Sequence, residues 1–134
     1  MMSMRTNLNQ NQAVTLNALR GADRPLSAYD VLDALRQERP SAAPPTAYRA
    51  LDKLIALGLA HRLESVNAYV ACTIAHHGHD PLFAICDDCG AVDEMADPSG
   101  LRALTQSVET GGFSARKPVV ELHGQCVGCQ RERS

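Results

Sequence analysis

The chain has 134 residues, of which 45% are hydrophobic, 21% charged and only 4% aromatic, with no Trp and a formal net charge of -2. This composition excludes a disordered chain and leaves room for one ordinary domain or two small ones with aliphatic cores. No segment approaches the ~20 uncharged apolar residues of a membrane span. The start MMSMRTNLNQ also lacks the apolar stretch of a signal peptide, so a cytoplasmic protein with no membrane partner is expected.

The charge is unevenly placed. Residues 1–73 hold 8 Lys and Arg against 6 Asp and Glu, a balance of +2, whereas residues 74–134 hold 5 against 9, a balance of -4. A mildly basic first half and an acidic second half point to different partners for the two.

In chain order, NQNQAVTLNALRG predicts a short helix with Val14, Leu16, Ala18 and Leu19 as its apolar positions and Gly21 as its end. RPLSAYDVLDALRQ predicts a second helix. There Ser27 is the N-cap, Asp30 completes a capping box, and Leu26 and Val31 are spaced for a hydrophobic staple. ERPSAAPP then turns the chain, and Pro45 fits the first turn of a third helix, where a missing N–H does no harm.

That third helix, TAYRALDKLIALG, gathers Ala47, Ala50, Leu51, Leu54, Leu57 and Gly58 on one side. Tyr48, Arg49, Asp52, Lys53 and Ala56 fall on the other. On a lone helix, Tyr48 and Arg49 read as solvated surface. Two short strands follow, LAHRLES and AYVAC, and helix–turn–helix followed by a hairpin is the winged-helix order of elements. In that setting the exposed Tyr48 and Arg49 become candidates for DNA contact.

A two-residue turn at Val66-Asn67 would put His61 opposite Cys72 on one face of the hairpin, with Cβ atoms roughly 4.5–5.5 Å apart. TIAHHGHDP, with His76, His77 and His79, reads as a hinge. The acidic half then reads as strand LFAIC, the C-x-x-C turn, strand AVDEMA, a helix over DPSGLRALTQSVETGG capped by Asp97 or Ser99, and strands FSARK and VVELHG. A unit this small exposes much of its surface, and dimerisation would bury some of it.

Four of the five cysteines form two C-x-x-C pairs, Cys86 with Cys89 and Cys126 with Cys129, separated by 36 residues. Under reducing conditions such pairs bind metal or do redox chemistry more often than they form structural disulfides. Four thiolates suit a closed, tetrahedral structural zinc. A redox role would want a thioredoxin-like setting at a helix N-terminus, and a zinc deaminase would carry H-x-E and P-C-x-x-C, which are missing here. With no catalytic base beside an open metal position, no enzyme activity is expected.

Cys72 is left over. Alone it reads as a small buried hydrophobe. With His61 beside it, His79 in the hinge and Glu94 after the first cysteine pair, it offers one S, two N and one O ligand, a set that suits Zn²⁺ better than Fe²⁺ or Mn²⁺. His76 and His77 read as solvated hinge residues or auxiliary ligands, and His123 as structural support.

The motifs SAYDVLDALR, PPTAYRALDKL, LESVNAYVAC and FAICDDCGAVDE, in that order, resemble the ferric uptake regulator family and most closely its zinc-responsive branch. The family's L-T-P-Q-R motif in the first helix is replaced by LNQNQ, and its histidine-rich run before the first C-x-x-C by DPLFAI. The resemblance implies an α+β protein with a winged-helix DNA-binding domain at 1–73, a hinge at 74–81 and a small α/β dimerisation domain at 82–134. It further implies a zinc-responsive repressor that binds AT-rich palindromic operator DNA as a homodimer through Tyr48 and Arg49. About two zinc ions per chain are implied: a structural one on Cys86, Cys89, Cys126 and Cys129, and a regulatory one on His61, Cys72, His79 and Glu94.

Overall fold

The computed structural model describes residues 7–73, 82–95 and 98–133. It falls into two units, Met1–Cys72 and Thr73–Ser134. Among the described residues no helix is long and apolar enough to cross a membrane.

The first unit is built from helices α1 (Gln10–Gly21), α2 (Ala28–Glu38) and α3 (Pro44–Ala56), then strands β1 (Ala60–Leu63) and β2 (Ala68–Ala71). The three helices pack on one another, with α1 also against β2 and α3 against β1. Their core is aliphatic, as the composition requires: Leu16 and Leu19 from α1, Val31 and Leu35 from α2, Leu51 and Leu54 from α3. The buried set of α3 is Ala47, Ala50, Leu51 and Leu54, while Leu57 and Gly58 lie just past the helix end and are half-buried.

Each of the first two helices begins with a capping box. In α1 it is Asn9 with Gln12, a signal passed over in the sequence. In α2 it is Ser27 with Asp30: the Asp30 N–H donates to Ser27 Oγ at 3.1 Å, and the Ser27 N–H returns a bond to the Asp30 carboxylate at 3.0 Å. Ser27→Ala is expected to destabilise the first unit by about 1 kcal/mol, read as a lower melting temperature. The Ser27 backbone N–H, helped by its hydroxyl and by Arg24, holds the Asp30 carboxyl below the ordinary range. A depressed folded pKa gives stability that is complete above the unfolded pKa and is lost as pH falls through the folded one. The cost of Asp30→Asn therefore shrinks as the protein is acidified below the ordinary aspartate range.

The hairpin departs from expectation. His61 faces Val70 and Leu63 faces Ala68, so paired numbers sum two lower than a Val66-Asn67 turn requires. The loop has four residues, 64–67, with Asn67 in the left-handed region at φ 51°. Arg62 braces it, donating to Glu64 at 2.7 Å and to Asn67 at 2.8 Å. A slip of one residue would have reversed the faces; a slip of two preserves them. Cys72 pairs instead with Leu59, its N–H donating to the Leu59 carbonyl at 2.9 Å. His61 and Cys72 thus become diagonal neighbours on one face.

The second unit comprises β3 (Leu82–Cys86), β4 (Val92–Met95), α4 (Pro98–Thr110), β5 (Val120–Gly124) and α5 (Val127–Arg133). Its sheet has the order β4-β3-β5, with β3 antiparallel to β4 and parallel to β5. The central strand supplies the only buried hydrophobic side chains among the unit's described residues: Phe83, Ile85 and Cys86.

Two expectations are corrected here. FSARK is not a strand: Phe113 is exposed, and Pro118 closes the segment without an N–H to give a ladder. Ser99 is not a cap, because α4 starts one residue earlier at Pro98, which suits a first helical position; Asp97 lies outside the described residues. Helix α5, starting just after Cys126, had no periodic signal over its seven residues.

Candidate functional site

Strand β3 ends at Cys86, and the following turn carries Asp87, Asp88 and Cys89 into Gly90, whose φ of 81° favours glycine. The Gly90 N–H donates to the Cys86 carbonyl and the Cys86 N–H to the Ala91 carbonyl, both at 2.9 Å, which closes the turn. The parallel ladder between β3 and β5 pairs Cys86 with Gly124 and so delivers the second turn, Cys126 to Cys129, opposite the first.

The four sulfurs lie within 4.8 Å of one another. Cys86 Sγ is 3.7 Å from Cys129 Sγ, and Cys89 Sγ is 3.8 Å from Cys126 Sγ. Disulfide bonding would need about 2.05 Å, and all the cysteines are free thiols. A tetrahedron with metal–sulfur bonds of ~2.3 Å has edges of about 3.8 Å, so these spacings fit a zinc ion.

The backbone prepares the site for anionic sulfur. Cys86 is buried and its Sγ accepts the Cys126 N–H at 3.3 Å. That bond first, and the N–H groups of Cys89 and Asp88, pull its pKa down to about 6. Cys129 is pushed up by its thiol neighbours, Cys126 foremost. For Cys89 the Ala91 N–H acts downward, but the surrounding thiols outweigh it and the net shift is upward. Several thiolates cannot crowd together without a cation between them, and a bound Zn²⁺ would supply that charge.

Polar side chains lie across the two turns. His123 Nδ1–H donates to Asp87 Oδ1 at 2.7 Å, and Gln125 Nε2 donates to Asp88 Oδ2 at 2.7 Å. The support expected of His123 thus takes the form of a bond to Asp87. Asp87, Asp88 and Gln125 were missed in the sequence because only the long-range β3–β5 pairing brings them to their partners.

In the first unit, His61 and Cys72 are half-buried at the hairpin, with ligand atoms within 4.8 Å of each other. In the second, the Glu94 carboxylate accepts the Thr73 N–H at 2.9 Å and the Thr73 hydroxyl at 3.2 Å. His76, His77 and His79 lie outside the described residues.

Tyr48 and Arg49 are exposed at the N-terminal half of α3, facing away from its buried side. Tyr29 on α2 was passed over in the sequence. Its ring is 67% exposed, the most of any large hydrophobic side chain among the described residues. The available signal was its position opposite Val31, Leu32 and Leu35 on that helix.

The model of the ferric uptake regulator family matches residues 5–123. The zinc uptake regulation protein of Escherichia coli (strain K12) is 43% identical over 109 residues, covering 80% of this chain but only 63% of that protein's length. A solved structure of a zinc uptake regulator complexed with zinc and DNA superposes with a TM-score of 0.88 at 38% identity, covering 96% of this chain and 86% of that one. The crystal structure of holo XcZur gives a TM-score of 0.84 at 38% identity, covering 92% and 86%. With a family match over most of its length, the chain belongs to the ferric uptake regulator family.

Proposed function

We propose that this chain is a zinc-responsive transcriptional repressor that binds operator DNA as a homodimer when a regulatory zinc is bound, controlling genes of zinc uptake and homeostasis. The observation that carries the reading is the joint presence of the four-sulfur cluster with tetrahedral spacing and an exposed Tyr48-Arg49 pair on the third helix of a helix–turn–helix and hairpin unit. Similarity to a zinc uptake regulator complexed with zinc and DNA supports the same reading.

Residues 1–73 are the DNA-binding domain, 74–81 the hinge and 82–134 the dimerisation domain. Cys86, Cys89, Cys126 and Cys129 hold a structural zinc. His61, Cys72, His79 and Glu94 hold a second, regulatory zinc, so that about two ions bind per chain. The thiolate of Cys72 favours zinc over iron or manganese in that set. Taking donors from both domains, the regulatory ion limits their relative orientation, and it promotes DNA binding only as far as it prefers the binding-competent arrangement.

A two-fold dimer is supported by the surface of the second unit. Helix α4 is amphipathic, with Leu101, Leu104, Thr105 and Val108 along one stripe, yet none of these side chains is buried in the chain itself. A second copy covering that stripe would give the dimer two α3 helices, one for each half-site of an AT-rich palindrome.

In the groove, a Tyr48 ring packs on a thymine methyl and Arg49 bonds a purine edge. With a duplex selected from a random pool by the zinc-loaded protein, Arg49→Ala is expected to weaken binding by roughly 1–3 kcal/mol and to relax preference at one position per half-site. Unchanged affinity and preference would remove α3 from the interface.

A further inference from the structure

We propose that Asp87 and Asp88, through His123 and Gln125, act as positioning residues that latch the two cysteine turns together and slow the release of the structural zinc. The proposal rests on the reading of the four cysteines as a zinc site. It assigns a role to the two residues between Cys86 and Cys89, which as spacers need only be turn formers.

The geometry is that of a clasp. The two turns come from segments 36 residues apart in sequence, and one of them must swing open for the ion to leave. Beyond the end of β3 the ladder gains one more backbone bond, from the Asp87 N–H to the Gly124 carbonyl at 2.9 Å. On either side of it run the side-chain bonds Asp87–His123 and Asp88–Gln125, both 2.7 Å. Gln125 is itself held, since its carbonyl accepts the Gln130 side chain at 2.7 Å. Three bonds in a row thus join residues 87 and 88 of the first turn to residues 123–125, which lead directly into Cys126. Partners of metal ligands that fix their approach commonly matter for metal retention.

The surface position of the pairs limits the expected size. His123 and Asp87 side chains are 36% and 60% exposed, so water competes for each bond. Loss of one pair is expected to speed zinc release about threefold, and loss of both about tenfold. The asparagine variant separates this role from a charge effect. Alanine and asparagine remove the same carboxylate charge, but asparagine keeps an oxygen acceptor for His123 and Gln125. The clasp therefore predicts faster release for alanine and little change for asparagine.

The test measures release of zinc from the full chain into an excess of a chromogenic chelator, following the slower phase after the zinc content has been determined. Asp87→Ala/Asp88→Ala should release about ten times faster than the parent, whereas Asp87→Asn/Asp88→Asn should stay within about twofold of it. Should the alanine pair fail to fold, Asp88→Ala, Gln125→Ala and their combination give a cycle in which the double variant is no faster than either single one. Equal rates for alanine and asparagine variants, or additive effects in the cycle, would overturn the clasp. Parent protein that purifies without a tightly held zinc would overturn the zinc reading itself, and the clasp with it.

Discussion

Cys86→Ser is expected to abolish the tightly held zinc and to unfold residues 82–133 while leaving the first unit folded. Cys86 is the most buried of the four cysteines, lies 3.7 Å from Cys129 Sγ and accepts the Cys126 N–H, so no neighbouring group replaces its sulfur. The second unit has little else to hold it. Its buried hydrophobic side chains, among the described residues, are Phe83, Ile85 and Cys86, and a small unit with so thin a core depends on a metal or a partner. Structural zinc sites contribute on the order of 10 kcal/mol, more than three buried side chains supply. Hydrogen exchange on the full chain reads this directly: amides of β3, β4, β5 and α4 lose protection, and those of α1 to α3 keep it. Retained protection across the second unit in a zinc-free variant would show that the cysteines are dispensable for its fold.

Cys72→Ser is expected to spare both the dimer and the tightly held zinc, yet to remove the response of DNA binding to zinc. Cys72 sits at the end of the hairpin, half-buried and outside the hydrophobic cluster that forms the first unit's core. Its backbone bond to Leu59 survives the substitution. Little stability is therefore at stake, whereas one of the four proposed regulatory ligands, and the only thiolate among them, is lost. Since even outer-shell changes cost 10–100-fold in metal affinity, the zinc concentration giving half-maximal DNA binding should rise by at least about 100-fold. A variant that melts well below the parent, or that still responds at the parent's zinc concentration, would make Cys72 a structural thiol.

Much of the local structure was legible because its causes are local. Ser27 and Asp30 announce α2, and the alanine and leucine spacing of α3 sorts buried from exposed residues, leaving Tyr48 and Arg49 outside. The four-cysteine cluster was legible as well, since two C-x-x-C pairs in one chain have few other uses.

What escaped depends on geometry that no short window contains. The hairpin register moved by two because Asn67 adopts a left-handed conformation and Arg62 braces a four-residue loop. His61 still shares a face with Cys72 only because that shift is even. FSARK reads as a strand, but Phe113 is exposed and Pro118 has no N–H to give a ladder. The roles of Asp87, Asp88 and Gln125 follow from the parallel pairing of β3 with β5, a contact across 36 or more residues.

The most direct test of a zinc-responsive repressor pairs the metal content of the purified chain with DNA binding across a zinc titration. The expected result is two zinc ions per chain, one retained against chelators and one weaker, with DNA binding following the weaker one. One zinc per chain, with DNA bound equally well at every zinc concentration, would contradict it.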